Sequence, residues 1–334
     1  SREHDELLKR KLADYKAGLS AKEIDGIIRE TEALREYQET PDTKEALACI
    51  PLLKREDIRK EAEPLVNEIG TLSGSTVMYH ELFTNHISYF RFLFDLKEVP
   101  EELFSYIGIL KAVLGYVDTE VHSYDELFHE INMETGGITA VTNLFTNAKN
   151  LDECRVTFEI KAKTLEDNLA KATQLAQEIM LQSRFDDEKR LYEILAELKS
   201  HLQSALISAG HSVAAGRAMS YFSRPAAIQE RLSGMPFYRL VDDLEKNFDS
   251  RKDELKEKLN RLVRCIFRPE NLLLDYIGTR EHYEEFLRLA EGVKASLFTE
   301  ASQGEPFTIR PEKRNEGFLS ASQVQYVCRA GNFI

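Results

Sequence analysis

Apolar residues recur in two different rhythms along this chain, and the change of rhythm divides it. Leu7, Leu8, Leu12 and Tyr15 form a stripe at helical spacing ahead of Gly18, and Ile24, Ile27, Ile28, Leu34 and Tyr37 form a second after it. Ser20-Ala21-Lys22-Glu23 between them is a capping box: the Ser hydroxyl takes the amide three residues on, and Glu23 reaches back to the Ser20 amide. The pattern predicts two amphipathic helices around a Gly-Leu-Ser turn, a helical hairpin over residues 1–40. Such a hairpin buries little alone and must lie against something or link two larger bodies. Thr40-Pro41-Asp42 ends it, and Pro51 and Pro64 break the mixed stretch that follows.

From residue 65 the rhythm becomes two. Residues 76–82 and 87–96 are rich in aromatic and branched side chains, with Phe90, Phe92 and Phe94 alternating with Tyr89, Arg91, Leu93 and Asp95. Thr84-Asn85-His86 supplies the turn, because Asn and His tolerate positive φ. Pro100-Glu101-Glu102 opens a helix whose apolar face is Leu103, Ile107, Leu110, Val113, Leu114 and Val117. Ser123-Tyr124-Asp125-Glu126 is a second capping box, and Gly136-Gly137 ends its helix.

Strands are expected again over 138–146 and through Val156, Phe158 and Ile160. Helices are expected over 165–183, 186–210, 211–222, 225–232, 237–248 and 252–267. A short apolar strand over 272–277 and a helix over 280–297 close the body, with Phe92, Phe158 and Leu273 assigned inward. The fold class is α+β: an antiparallel sheet with helices packed on one face, preceded by the hairpin. Arg310-Pro311-Glu312-Lys313-Arg314-Asn315-Glu316 reads as a polar connector. After it Val324, Tyr326 and Cys328 alternate, in a strand spanning about 317–333 that has no partner downstream and is expected to add to a sheet edge.

Length and charge then bound the function. At 334 residues the chain is expected to hold one large domain with appendages, or two domains. Acidic residues exceed basic ones to give a formal net charge of −13, and no Lys/Arg run offers phosphate a basic face, so nucleic-acid partners are excluded. No apolar run is long enough for a transmembrane helix, and Ser1–Leu12 is charged throughout, unlike a signal peptide. Cys49, Cys154, Cys265 and Cys328 lie far apart without a C-x-x-C; we expect reduced, mostly packed thiols and a cytoplasmic setting. The start at Ser1 and the end at Gly331-Asn332-Phe333-Ile334 lead us to expect a piece of a longer polypeptide, whose targeting segment, if any, could direct it to an organelle matrix.

Candidate chemistry is sparse. His122, Glu126 and His129 stand at i, i+4 and i+7 and imitate a metal-binding helix face. Ser123 is the helix cap, however, which places His122 outside the helix. His80-Glu81 with His86 imitates H-E-x-x-H, but the second His falls six positions on, across the turn, where a zincin needs four on one helix. Thr135-Gly136-Gly137 lacks the Lys-Ser/Thr of a phosphate loop and is read as a helix terminus. No G-x-S-x-G elbow occurs. Ser208-Ala209-Gly210-His211-Ser212 is read as close helix packing or a bend, and Phe185-Asp186-Asp187-Glu188 as a helix start. No residue is assigned a catalytic, cofactor-binding or metal-binding role.

Two long stretches carry a resemblance. VMYHELFTNHISYFRFLFDLKEVPEELFSYIGILKAVLGYVDTEVHSYDELFHEINMETGG (77–137) and MSYFSRPAAIQERLSGMPFYRL (219–240) resemble the third of four homologous domains in presequence-protease-type enzymes, which are zinc peptidases of the pitrilysin/insulinase family. EYQETPDTKEALACIPLLKREDI (36–58) resembles that family's helical linker, and EGFLSASQVQYVCRAGNF (316–333) the first strand of its fourth domain. The implied division is a linker over 1–64, a non-catalytic metallohydrolase-like third domain over 65–304, and a connector with a truncated fourth domain over 305–334. The one departure is His86 where the family commonly has Gly in the first hairpin turn.

Such enzymes hold zinc on an inverted H-x-x-E-H helix in the first domain, and no H-x-x-E-H occurs in this chain. The resemblance therefore implies a non-catalytic chamber-wall and hinge fragment of a zinc metallo-endopeptidase that degrades unstructured peptides. Its partners would be the remaining domains of the same polypeptide and the peptide substrates, with an acidic wall favouring basic peptides. The alternative is a non-enzymatic scaffold or peptide-binding protein on the same fold, and the sequence upstream of Ser1 would separate the two.

Overall fold

The structure, a computed structural model, describes all residues except 1, 63, 65–66, 148, 301–303, 320–322 and 332–334. The chain divides into two units, residues 1–64 and 65–334. The first unit is helical, with α1 (Arg2–Ala17), α2 (Ala21–Glu39) and α3 (Lys44–Ala48). The predicted capping box forms, the Ser20 amide donating to Glu23 Oε2 at 2.8 Å and the Glu23 amide to Ser20 Oγ at 3.4 Å. The apolar stripes remain in solvent: Leu7, Leu8, Leu12 and Tyr15 are exposed, as are Ile27, Ile28, Leu34 and Tyr37. The predicted helices are there, without the burial their stripes call for.

In the second unit β1 (Glu68–Leu72), β2 (Ser75–Glu81) and β3 (Ile87–Asp95) precede α4 (Glu101–Phe104), α5 (Ile107–Val113) and α6 (Tyr124–Glu134). The long strands β4 (Ile138–Asn147) and β5 (Asn150–Leu165) follow. Then come α7 (Leu169–Leu181), α8 (Glu188–Ser208), α9 (Gly210–Met219), α10 (Arg224–Ser233), α11 (Met235–Lys246) and α12 (Phe248–Ile266). The last elements are β6 (Leu272–Gly278) and α13 (Arg280–Ala295). The described strands form one six-stranded sheet in the order β1-β2-β6-β3-β5-β4.

This order corrects two expectations. β2 and β3 are not a hydrogen-bonded pair, because β6 returns from the helical excursion and inserts between them. Since β2 and β3 run in opposite directions, an inserted strand must lie parallel to one of them, and β6 is parallel to β2. The sheet is therefore mixed and not purely antiparallel. β1, which the sequence reading did not predict, pairs with β2 through a Ser73-Gly74 turn whose two residues both have positive φ, +49° and +89°. The predicted turn at Asn85-His86 is also left-handed, at +51° and +62°.

Alternation decides which face is core. Phe92 sits opposite Ile160 on one side and Leu274 on the other, and all three are fully buried. Phe90, Phe94, Phe158, Tyr276 and Val77 share that face. Helices cover it: Phe286 of α13 stacks on Tyr276 at 5.1 Å, and Phe267, just past α12, meets the edges of Phe94 and Phe158 at 5.0 and 5.8 Å. Leu273, expected inward, is on the opposite face beside Leu93 and only half-buried. The run Leu272-Leu273-Leu274 is apolar throughout, so nothing in it marks the register.

The helix expected from Pro100 onward is broken at Ser105-Tyr106 into α4 and α5. Past α13, Phe307 stacks on Phe104 at 4.3 Å and Ile309 is buried, which fastens this stretch to the body. The strand expected near 317–333 does not form among the described residues, and Phe333 lies outside them. Instead of pairing at a sheet edge, Tyr326 packs on helix α9, where its ring lies 2.7 Å from the position a Cβ would take on Gly210. Of the thiols expected to be packed, Cys265 is buried but Cys49 and Cys328 are exposed.

Candidate functional site

The histidines singled out in the sequence are separated by the fold, and each meets its own carboxylate. His80, on the open face of the sheet, lies with Nε2 3.0 Å from Asp275 Oδ1. Arg91 stands between Asp275 and Glu159, its Nε 3.5 Å from the first and a terminal nitrogen 3.8 Å from the second. Thr157 donates its hydroxyl to Glu159 Oε1 at 2.7 Å, while Oε2 of this fully buried side chain has no hydrogen bond among the described residues. Burial raises the Asp275 carboxyl above its ordinary value, with Arg91 and His80 opposing the rise.

His86 is elsewhere, its Nδ1 3.0 Å from Glu166 Oε2. His282 approaches the other oxygen at 3.4 Å, and Thr279 donates its hydroxyl to the same oxygen at 3.1 Å. His122 precedes α6, as the Ser123 cap requires, and its Nδ1 is 2.9 Å from Glu178 on α7. Glu126 is held by the capping box, its Oε2 accepting from the Ser123 amide at 2.9 Å, and His129 is exposed. The triad His122, Glu126 and His129 is thus not brought together, nor is the set His80, Glu81 and His86. Among the described residues no group of three or more His, Cys, Asp or Glu side chains is arranged to hold a metal ion.

The glycine motifs have structural occupations. The Gly136 amide donates to the Lys163 carbonyl at 2.8 Å, and Gly137 takes φ +119° at the entry to β4. Ala209 is the break between α8 and α9 inside the Ser208–Ser212 stretch. Asp187 caps α8, accepting from the Arg190 amide at 3.0 Å.

The densest charged site was not visible in the sequence. Arg217 on α9 grips Glu316 with Nε at 2.7 Å and a terminal nitrogen at 3.1 Å, and reaches Glu230 on α10 with its other at 3.3 Å. Tyr221 donates its hydroxyl to Glu316 at 3.1 Å. Glu230 is nearly buried; desolvation raises its carboxyl above the ordinary range despite Arg217 and the Met235 amide. Beside this group a cavity of about 510 Å³ opens, walled by five arginines (Arg217, Arg231, Arg239, Arg310 and Arg314) against three glutamates (Glu101, Glu230 and Glu312).

The comparisons agree with the resemblance read from the sequence. The family model that matches residues 1–244 is described as associated with peptidases of family M-16, subfamily C. The chain belongs to that family. Protein HypA of Clostridium perfringens is 34% identical over 98% of this chain and 33% of its own length. Presequence protease 1, chloroplastic/mitochondrial, of Arabidopsis thaliana is 26% identical over 96% of the chain and 30% of its own length. The mitochondrial presequence protease of Danio rerio is 28% identical over 69% and 22%. The chain thus spans a third or less of these relatives, and it is a pitrilysin-family segment of presequence-protease type. No helix among the described residues is long and apolar enough to cross a membrane.

Proposed function

We propose that this chain is a non-catalytic part of a larger zinc metallo-endopeptidase that degrades unstructured peptides. The observation that carries the reading is the peptidase-associated family match over residues 1–244 in a sequence that contains no H-x-x-E-H. In this reading residues 1–64 are the hinge linker, 65–304 a wall domain, and 305–334 the lead into a further domain. The unburied stripes of α1 and α2 support the linker role, since two helices with exposed Leu, Ile and Tyr faces need further surfaces to cover them. The zinc, its ligands and the general base would lie on another domain of the same polypeptide, where zinc polarises the scissile carbonyl and activates water. This chain would shape the enclosure and bind no zinc of its own. The formal charge of −13 supports the exclusion of nucleic acid. A cytoplasmic or organelle-matrix setting fits the reading, the latter because of the mitochondrial and chloroplastic relatives.

Hydrolysis of an internally quenched unstructured peptide tests the proposal. The full polypeptide should cleave it and lose activity to a chelator, while the 334-residue chain should neither cleave it nor carry stoichiometric zinc. A full polypeptide without hydrolysis would favour the scaffold reading; a chelator-sensitive activity in this chain alone would overturn the proposal.

A further inference from the structure

The carboxylates in the wall of the arginine cavity are already engaged. Glu101 Oε2 accepts from the Thr308 amide and hydroxyl, each at 3.2 Å. Glu230 is held by Arg217, and Glu312 by Arg314 at 2.5 Å. Arg217 and Arg314 are thereby used. Arg231, Arg239 and Arg310 remain, and none has a carboxylate partner among the described residues; the guanidinium of Arg239 lies 5.7 Å over the Phe318 ring. Three unmatched guanidiniums around one cavity, in a chain of net charge −13, form a local reversal of the global field.

We propose that this cavity binds the carboxylate of a peptide. The guanidinium fork matches a carboxylate in two parallel hydrogen bonds, and unmatched arginines at a concave surface supply that geometry at low reorganisation cost. The three glutamates of the wall leave only a small positive excess, suited to one negative charge and opposed to a dianionic phosphate. Ala227, Pro236 and Ile309 line the same space and offer apolar contact to the chain that bears the carboxylate. The site would favour acidic side chains or free C-termini, the reverse of the preference for basic peptides that net charge alone implies. The choice of a peptide as bearer rests on the peptidase reading above; the binding itself needs no turnover.

Fluorescence anisotropy on the 334-residue chain tests this, using labelled tetra-alanine with a free C-terminal carboxylate, the same peptide as its C-terminal amide, and inorganic phosphate as competitor. The acid should bind saturably and the amide at least about tenfold more weakly, the weight of one charge-assisted pair. Arg231→Gln with Arg310→Gln should weaken the acid about 10- to 100-fold at unchanged melting temperature, since both side chains are exposed. Arg231→Lys with Arg310→Lys keeps the charge but loses the fork, and serves if the glutamine pair unfolds early; it should still weaken the acid. Equal binding of acid and amide, or no saturation, overturns the proposal, as does phosphate competing as strongly as the peptide. Any of these leaves the peptidase reading intact, because that stands on hydrolysis by the full polypeptide.

Discussion

Arg217 and Glu316, 99 residues apart in sequence, meet in a two-pronged ion pair that ties the C-terminal segment to helix α9. Both side chains are mostly buried, at 12% and 18% exposure, so the pair is shielded from the screening that weakens surface bridges. Arg217 also neutralises Glu230, and the two changes at this junction are therefore unequal. Glu316→Gln leaves Arg217 still paired and should cost about 1 kcal/mol, whereas Arg217→Ala strands the buried Glu230 and should cost about 3 kcal/mol. Urea melts of the two variants measure this. Equal losses would show that Glu230 does not depend on Arg217.

The sheet gives a prediction about register. Phe158 is fully buried with Phe267 against its ring, and Phe158→Ala should cost about 3–5 kcal/mol. Leu273→Ala, on the half-buried opposite face, should cost under about 2 kcal/mol. If Leu273→Ala proved the worse of the two in denaturant melts, β6 would be turned over.

These two residues also show what the sequence could reveal. Phe90, Phe92 and Phe94 alternate with polar neighbours, so the face of β3 was legible; Leu272-Leu273-Leu274 offers no contrast, so the face of β6 was not. The capping boxes at Ser20 and Ser123 and the left-handed Asn85-His86 turn are local signals, and each formed as read. β1 went unread because Glu68–Leu72 is short and barely buried, although Ser73-Gly74 carries a hairpin signal. The insertion of β6 between β2 and β3 depends on pairing across almost the whole body, which no local pattern encodes. The arginine cavity was invisible for the same reason: Arg217, Arg231, Arg239 and Arg310 come from α9, α10, α11 and the C-terminal stretch. His122, His80 and His86 drew attention by spacing alone, and the fold gives each a different carboxylate.

Acid stability should carry the mark of Glu254. Burial works against its ionisation, yet hydrogen bonds from Lys258, Tyr106 and Arg251 prevail and hold the carboxyl at about 2. A carboxyl depressed in the folded state adds stability that is present above its unfolded value and is lost as pH falls through the folded one. The loss should therefore run from about 4.5 down to about 2. Glu254→Gln should lower the melting temperature at neutral pH, modestly because the side chain is about a third exposed, and the gap should close across that window. A gap that stayed constant down to the acid end would show that the ionised form of Glu254 is not what the cluster stabilises. Glu230 and Asp275 act in the opposite sense. Their raised values favour the protonated folded form, so their contribution is present at acid pH and is lost as pH rises through the folded value.

Gly210 and Tyr326 should be coupled, with a sign that depends on which is changed first. A Cβ on Gly210 would stand 2.7 Å from the Tyr326 ring, closer than real contacts allow. Gly210→Ala should therefore push the ring off α9 and cost about 1–2 kcal/mol, the range for overpacking. In a Tyr326→Ala background the obstacle is gone, and the same change should be neutral or stabilising by up to about 1 kcal/mol, because Ala is the better helix former. A double-mutant cycle reads the difference as an interaction energy. Hydrogen exchange across residues 323–331 should rise with Gly210→Ala and with Tyr326→Ala alike, since either breaks the same contact. Strict additivity, with unchanged exchange in the C-terminal segment, would mean that Tyr326 does not rest on Gly210 in solution.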